Sequence, residues 1–181
     1  MADIGIRFTQ NDGASVDPTK QINYAGPGVG IEAGFDLNLY HNQFPVHLTL
    51  AADYINSEYS SDTAPIECRD KSRSDCIKAI GIGTSHIFRT NLSISPTFNW
   101  NILYLRPYIG PVLRVHHDKL NNPGTAGFQG TETVLGVTYG FSVGVKFYDS
   151  LGFWLSTFND HISDDAIGRD NGLIASLNYY L

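Results

Sequence analysis

The amino-acid sequence predicts an all-β protein: an eight-stranded antiparallel transmembrane β-barrel with short periplasmic turns and long extracellular loops, forming one domain over residues 1–181. Three observations predict it. Apolar and polar residues alternate with period two through most of the chain, which places successive side chains on opposite faces of a strand. Short and long polar connections take turns between the alternating runs, the pattern of an outer-membrane barrel. The composition, with 18 Gly, 10 Tyr and 10 Phe against one Met, favours strands and tight turns over helices.

Charge and hydropathy bound the remaining classes. Twelve Lys plus Arg against 18 Asp plus Glu leave a net charge of −6, which excludes the broad basic face of a nucleic-acid binder. No run approaches 18 consecutive apolar residues, so the chain has no transmembrane helix. A mean hydropathy of −0.14 suggests solubility only if membrane proteins are helical, because in a small barrel every second residue is polar by construction. Met1-Ala2-Asp3 carries no basic region followed by an apolar core, so any signal peptide is expected to have been removed or never to have existed.

Taken in order, Ile4 to Phe8 forms a short first strand. From Gly28 to Tyr40 the odd positions read Val29, Ile31, Ala33, Phe35, Leu37 and Leu39, and the even ones are Gly, Glu, Asp, Asn or Tyr. After the turn-like His41-Asn42-Gln43, a third strand sets Val46, Leu48, Leu50, Ala52 and Tyr54 against His47, Thr49, Ala51 and Asp53. A fourth, Leu92 to Trp100, sets Leu92, Ile94, Pro96, Phe98 and Trp100 against Ser93, Ser95, Thr97 and Asn99. Leu103 to Val115 and Leu135 to Phe147 carry their apolar residues at odd positions, and Leu151 to Asn159 and Leu173 to Leu181 complete the eight. Ala79 to Arg89 also alternates, with Ile80, Ile82 and Phe88 in phase with Leu92; it reads as an extension of the fourth strand above the membrane or as a small extra hairpin. Long connections are expected at Gln10 to Gly26, Glu58 to Lys78, Asp118 to Gly130 and Ile162 to Asn171.

Which face points inward separates a membrane barrel from a soluble ligand-binding one. A soluble barrel buries its apolar face around a ligand, and a membrane barrel turns it toward lipid. Here the polar face combines glycines with Arg7, Glu32, Asp36, Asp53, Arg114 and Lys146, three charges of each sign that can pair within a narrow lumen. The apolar face adds Tyr54, Trp100, Tyr104 and Tyr179 near strand ends, as an interfacial girdle requires. Gly152-Phe153-Trp154 has the Gly-x-Trp form of lipocalins but stands near the end of the chain, whereas theirs is on the first strand. The reading is therefore a bacterial outer-membrane barrel, integral to the membrane.

One pair of residues could carry chemistry. The outward positions of the seventh strand read Leu151, Phe153, Leu155, Thr157, Asn159 and His161, with Ser163 next in phase. A His and a Ser two apart project from the same face, so the imidazole can act as general base to the hydroxyl. Spacing alone proves little: six His and 14 Ser in this length give roughly 0.5 such pairs by chance. Polar residues also mark where a strand leaves the membrane, at about 0–1 kcal/mol each.

The run His161-Ile162-Ser163-Asp164-Asp165-Ala166-Ile167, followed by Asp170-Asn171-Gly172-Leu173 and a last strand, resembles the C-terminal signature of the PagL family of outer-membrane lipid A 3-O-deacylases. Leu92 to Phe98, Arg106-Pro107-Tyr108-Ile109-Gly110 and Gly144-Val145-Lys146-Phe147 resemble that family's strands in order and spacing, so the likeness covers roughly Leu92 to Leu181. It implies an eight-stranded barrel with a Ser-His-acid site on its lipid-facing wall, lipid A or lipopolysaccharide and outer-membrane lipids as partners, and no cofactor. Ser163 would be the nucleophile and His161 its base, with Asp164 and Ala166 beside the site. Two positions depart from the family pattern. Its acid falls at about Leu173 or Ile174, so Asp160, Asp164, Asp165 and Asp170 are the substitutes, Asp170 first. Its Asn after the Ser is Asp164, a carboxylate that would repel a developing oxyanion unless protonated or turned away. A barrel that keeps this frame without activity, serving adhesion or membrane structure through its loops, is the alternative.

Cys68 and Cys76 bracket a polar stretch with no metal-ligand spacing, so a disulfide in an exposed loop is expected and no metal site. Arg69, Lys71 and Arg73 between them read as a solvated loop able to meet lipopolysaccharide phosphates. His116-His117-Asp118 suggests a metal at first sight, but adjacent strand residues point to opposite faces, and surface residues are the better reading.

Overall fold

The computed structural model describes residues 2–14, 22–39, 44–61, 81–121, 129–162 and 169–181. Its elements are all strands: β1 (Ala2–Ala14), β2 (Ile22–Leu39), β3 (Phe44–Ser61), β4 (Gly81–Pro96), β5 (Phe98–Trp100), β6 (Leu103–Asn121), β7 (Gln129–Tyr148), β8 (Leu151–Ile162) and β9 (Arg169–Tyr180). Each pairs antiparallel with its neighbours. The ring closes where β1 meets β9 and where β4 meets β6, which pairs backbone amides between staves as a bilayer requires. β4 and β5 are one stave broken at Thr97, directly after Pro96, which has no N–H to give the ladder. Thr97 N instead donates to Pro45 O at 3.0 Å, and the barrel has eight staves.

Residues 81–89 form the upper part of β4, pairing with β3 on one side and β6 on the other. They extend the fourth strand and do not make a separate hairpin. Other strands also run further than the alternation shows: β3 reaches Ser61, β6 reaches Asn121 and β7 begins at Gln129. Above the membrane both faces are wet, so the apolar half of the pattern fades while the backbone ladder persists. Two connections at the other end are tight, at Asn101-Ile102 and Asp149-Ser150, and Asn101 takes a positive φ of 60°, which Asn tolerates. Cys68, Cys76 and the loop between them lie outside the described residues.

The faces have the inverted polarity of a membrane barrel. Ile31, Leu135 and Leu155 on the outside are 67%, 64% and 55% exposed, whereas Arg89, Arg114 and Asp53 inside are 0% exposed. Water would not tolerate such a belt, and lipid requires it. All six charges expected in the lumen point there, and they are joined by residues absent from that expectation, chiefly Arg89, Arg106, Asp3, Asp160 and Asp170.

Arg89 is the hub of the upper lumen. Its Nε and Nη2 donate to the two oxygens of Asp160 at 2.7 and 2.9 Å, Nη1 reaches Asp53 at 3.1 Å and Asn91 at 2.9 Å, and Nη2 also reaches Thr138 at 2.9 Å. Asp53 is shared with Arg7 at 3.2 Å, and Arg7 continues to Glu32 at 3.4 Å. Lower down, His47 donates to Asp36 at 2.8 Å, and the Arg106 guanidinium lies 4.1 Å from the ring centre of Trp154, whose Nε1–H donates to Tyr180 at 2.8 Å. Between the two groups remains a polar cavity of about 50 Å³, room for roughly one or two waters. Gly144 is what makes space for the indole, because a Cβ there would strike the Trp154 ring.

Two expectations need correction. Tyr104 belongs to the lumen and not to the outer girdle: its ring sits 6.2 Å from Trp154 and beside Lys146, since even positions of β6 face inward. Tyr54, Trp100 and Tyr179 do face out. The inner face is also not purely polar. Ile55, Ile87, Val112, Val134 and Ile162 are buried toward its upper end, and His116, read as a surface residue, is buried with them.

Candidate functional site on the outer wall

Parity along β8 sets the candidate site. Gly152, Trp154, Phe158, Asp160 and Ile162 are buried in the lumen, while Leu155, Thr157 and His161 are exposed on the outer wall. His161 therefore projects outward at the top of a stripe whose lower members face lipid. Its ladder partners are Val137 on β7 and Arg169 on β9, and Asn159 precedes it on the same face, opposite Asn171. Ser163, Asp164 and Ala166 lie outside the described residues.

Asp170 does not join this site. It is 1% exposed, faces the lumen, and forms an ion pair with Arg114, which also stands 3.6 Å from Asp160. The ladder explains the correction: Asp170 pairs with Asp160, an inward position, and His161 pairs with the preceding residue. Opposed residues of an antiparallel pair share a face, so the barrel wall stands between the Asp170 carboxylate and the His161 imidazole. Asp160 is removed from consideration for the same reason. Among the described residues, the ladder neighbours of His161 on the outer wall bring no carboxylate to it, and no cluster of three or more His, Cys, Asp or Glu fit to hold a metal is found.

Below and beside β8 the outer wall is apolar and grooved. Phe8, Val29, Tyr54, Leu155, Leu173 and Ala175 border a depression of about 660 Å³ that runs across β9, β1 and β2 from β8 to β3. It is open along the barrel, lies on the lipid-facing side and has the lining an acyl chain would meet.

No family model and no curated protein matches the chain. Solved structures match it over nearly its whole length. The attachment invasion locus protein Ail of Yersinia pestis, solved with the heparin analogue sucrose octasulfate, has a TM-score of 0.55 at 11% identity, covering 98% of this chain and 96% of that one. Neisserial surface protein A gives 0.56 at 16% identity over 99% and 97%. A major outer membrane protein from Thermus thermophilus gives 0.60 at 11% identity over 99% of both chains. The protein is an outer-membrane β-barrel. At these identities the likeness shows the fold alone; the apolar belt on the outer wall and the charged lumen are what mark a membrane barrel.

Proposed function

We propose that this barrel is an outer-membrane ester hydrolase that removes an ester-linked 3-hydroxyacyl chain from lipid A. The observation that carries the reading is the outward exposure of His161 at the head of a lipid-facing stripe. An imidazole placed there has no part in the lumenal network, and it stands where the ester bonds of outer-leaflet lipid come within reach. His161 takes the proton of Ser163 as the hydroxyl oxygen attacks the ester carbonyl, then returns it to the departing sugar oxygen. Water, deprotonated by the same imidazole, hydrolyses the acyl-enzyme and frees a 3-hydroxy fatty acid. The groove below offers the departing chain a surface of Phe8, Leu155 and Leu173. With Asp170 held in the lumen, the carboxylates left to orient His161 are those of Asp164 and Asp165 in the β8–β9 connection.

Purified protein in mixed micelles with lipid A tests this directly. Mass spectrometry is expected to show loss of one hydroxyacyl chain, abolished by Ser163→Ala and by His161→Ala. Intact lipid A with the wild type, or equal loss with Ser163→Ala, overturns the reading. A specific observation favours a second one, a barrel without enzymatic activity. A Ser-His pair whose acid is missing loses on the order of 10⁴ in rate, and the acid first expected is buried on the far side of the wall. In that reading the loops at the extracellular rim are the working surface, and the same assay returns unchanged lipid A.

A further inference from the structure

The lumen and the candidate site meet on β8 and β9. Asp160 and Asp170 are directly opposed in the ladder, and both point into the lumen. The next row up, His161 with Arg169, is the last of the pair among the described residues, and Ser163 follows two residues after His161 in the chain. Two carboxylates therefore face each other one row beneath the imidazole.

Like charges opposed in this way destabilise a strand pair, because side chains of one row stand about 4.5–5.5 Å apart. Burial leaves the repulsion poorly screened. Uncompensated, it would part the top of β8 from β9 and take the His161 row with it. Two arginines oppose this. Arg89 grips Asp160 with two nitrogens at 2.7 and 2.9 Å, and its partners lie on β3, β4, β7 and β8. Arg114, fully buried on β6, reaches both strands: it forms an ion pair with Asp170 and stands 3.6 Å from Asp160. A guanidinium shared by two opposed carboxylates turns a repelling row into an attracting one. Adjacent residues of a strand point to opposite faces of one backbone, so a tie on an inward side chain also fixes the outward one beside it. Asp160 precedes His161, and Asp170 follows Arg169, the ladder partner of His161.

We propose that Arg114 is a positioning residue for the outer-wall site: from inside the lumen it staples β8 to β9 through Asp160 and Asp170, and so holds the row of His161 and the start of the connection that carries Ser163. The catalytic part of this rests on the hydrolase reading; the staple is read separately. Arg114 touches neither substrate nor reacting atoms, since the barrel wall stands between. Its loss should therefore lower kcat and leave KM and the pH profile of kcat near their wild-type values, because the groove beside Leu155 and Leu173 is untouched.

Two readouts on the purified barrel test this: turnover of lipid A in mixed micelles, and backbone amide hydrogen exchange along β8 and β9. Arg114→Gln is expected to lower kcat by about 10²-fold, the scale of a misplacement of about 1 Å, with KM held within roughly twofold. Exchange at 158–162 and 170–173 should quicken, while β2 and β3 keep their wild-type rates. Arg114→Lys keeps the charge without the fork that spans two carboxylates, and should fall between. Adding Asp170→Asn to Arg114→Gln removes the repulsion along with the cation, so exchange and kcat should return most of the way to the wild type; the plain loss of a second contact would worsen both. Glu32→Gln, which weakens the ion pair with Arg7, controls for a general loss of stability and should leave kcat and the top of β8–β9 unchanged. If Arg114→Gln does not fold, the same comparison is made between Arg114→Lys and Arg114→Lys/Asp170→Asn. Wild-type exchange after loss of Arg114, or a double variant no better than the single one, overturns the staple whether or not lipid A is hydrolysed. Quickened exchange with unchanged kcat overturns the positioning role. Intact lipid A with the wild type overturns the hydrolase reading and the role within it, and the exchange rates then decide the staple alone.

Discussion

Replacing Arg89 tests the account of what holds the barrel together. The side chain is fully buried and donates to Asp53, Asn91, Thr138 and both oxygens of Asp160. Removing one member of a buried ion pair generally costs about 3–5 kcal/mol, mostly because the remaining charge is stranded. Neither carboxylate is wholly stranded here: Asp53 keeps Arg7 at 3.2 Å, and Asp160 keeps Arg114 at 3.6 Å. Asn91 borders the small polar cavity and can turn to water there. Arg89→Met should therefore fall near the lower end, at about 3 kcal/mol. Arg89→Lys keeps the charge and loses the two-pronged grip on Asp160, so about 1–2 kcal/mol is expected. Urea unfolding in lipid vesicles reads both, using the fluorescence of Trp154 in the lumen and Trp100 at the rim. A loss below about 1 kcal/mol for Arg89→Met, or a lysine variant no better than methionine, would refute the argument that charge compensation in the lumen sets stability.

Three further outcomes follow from the same geometry. Leu50 is 60% exposed on the lipid face, so Leu50→Arg should destabilise by about 2–4 kcal/mol in vesicles, while Glu58→Arg, above the apolar band on the same strand, should change stability by under about 1 kcal/mol. Gly144→Val places a side chain against the Trp154 indole and should cost at least about 1–3 kcal/mol, read as a lowered urea midpoint. Asp170→Asn removes a lumenal partner of Arg114 that Asp160 only partly replaces. It should lower stability by about 1–3 kcal/mol and leave the pH profile of any ester hydrolysis where it was; a moved profile would return Asp170 to the chemistry.

The barrel was legible in the sequence because its strands alternate with period two and the polar face, rich in glycine and in charges of both signs, suits a narrow lumen and leaves the apolar face to lipid. Ile4, Ile6 and Phe8 repeat that signal on β1, as do Val29, Ile31 and Phe35 on β2, and both strands carry it to the outer wall. Tyr104 was misread because a tyrosine suits a membrane interface and a lumen equally, and only its even position on β6, one past the outward Leu103, decides between them. Arg89 escaped for a different reason. Its segment could have been a hairpin outside the barrel, and an arginine in a hairpin is an unremarked surface charge. Once 81–96 is a continuous strand, Arg89 shares the face of Asn91, Ser93 and Ser95, and a buried guanidinium must then gather acids around it.

The candidate site divides along the same line of parity. On β8 the odd positions face out, and on β9 the outward positions are again odd, 171, 173 and 175. An acid able to hold His161 from the last strand must share this parity near it, and the residues there are Arg169, its ladder partner, then Asn171, Leu173 and Ala175. Asp170 drew attention because it is close in sequence and acidic, but a displacement of one residue along a strand exchanges the lipid face for the lumen. Its pairing with Arg114 then follows, because a carboxylate sent into a narrow lumen must find a cation there. Under the proposed hydrolase reading, the acids expected from the sequence that remain to orient His161 are Asp164 and Asp165. If the lipid A assay returns a deacylated product, one of Asp164→Asn and Asp165→Asn should reduce its rate by a factor on the order of 10⁴, with Ser163 and His161 intact. If neither does, the imidazole works without a carboxylate partner.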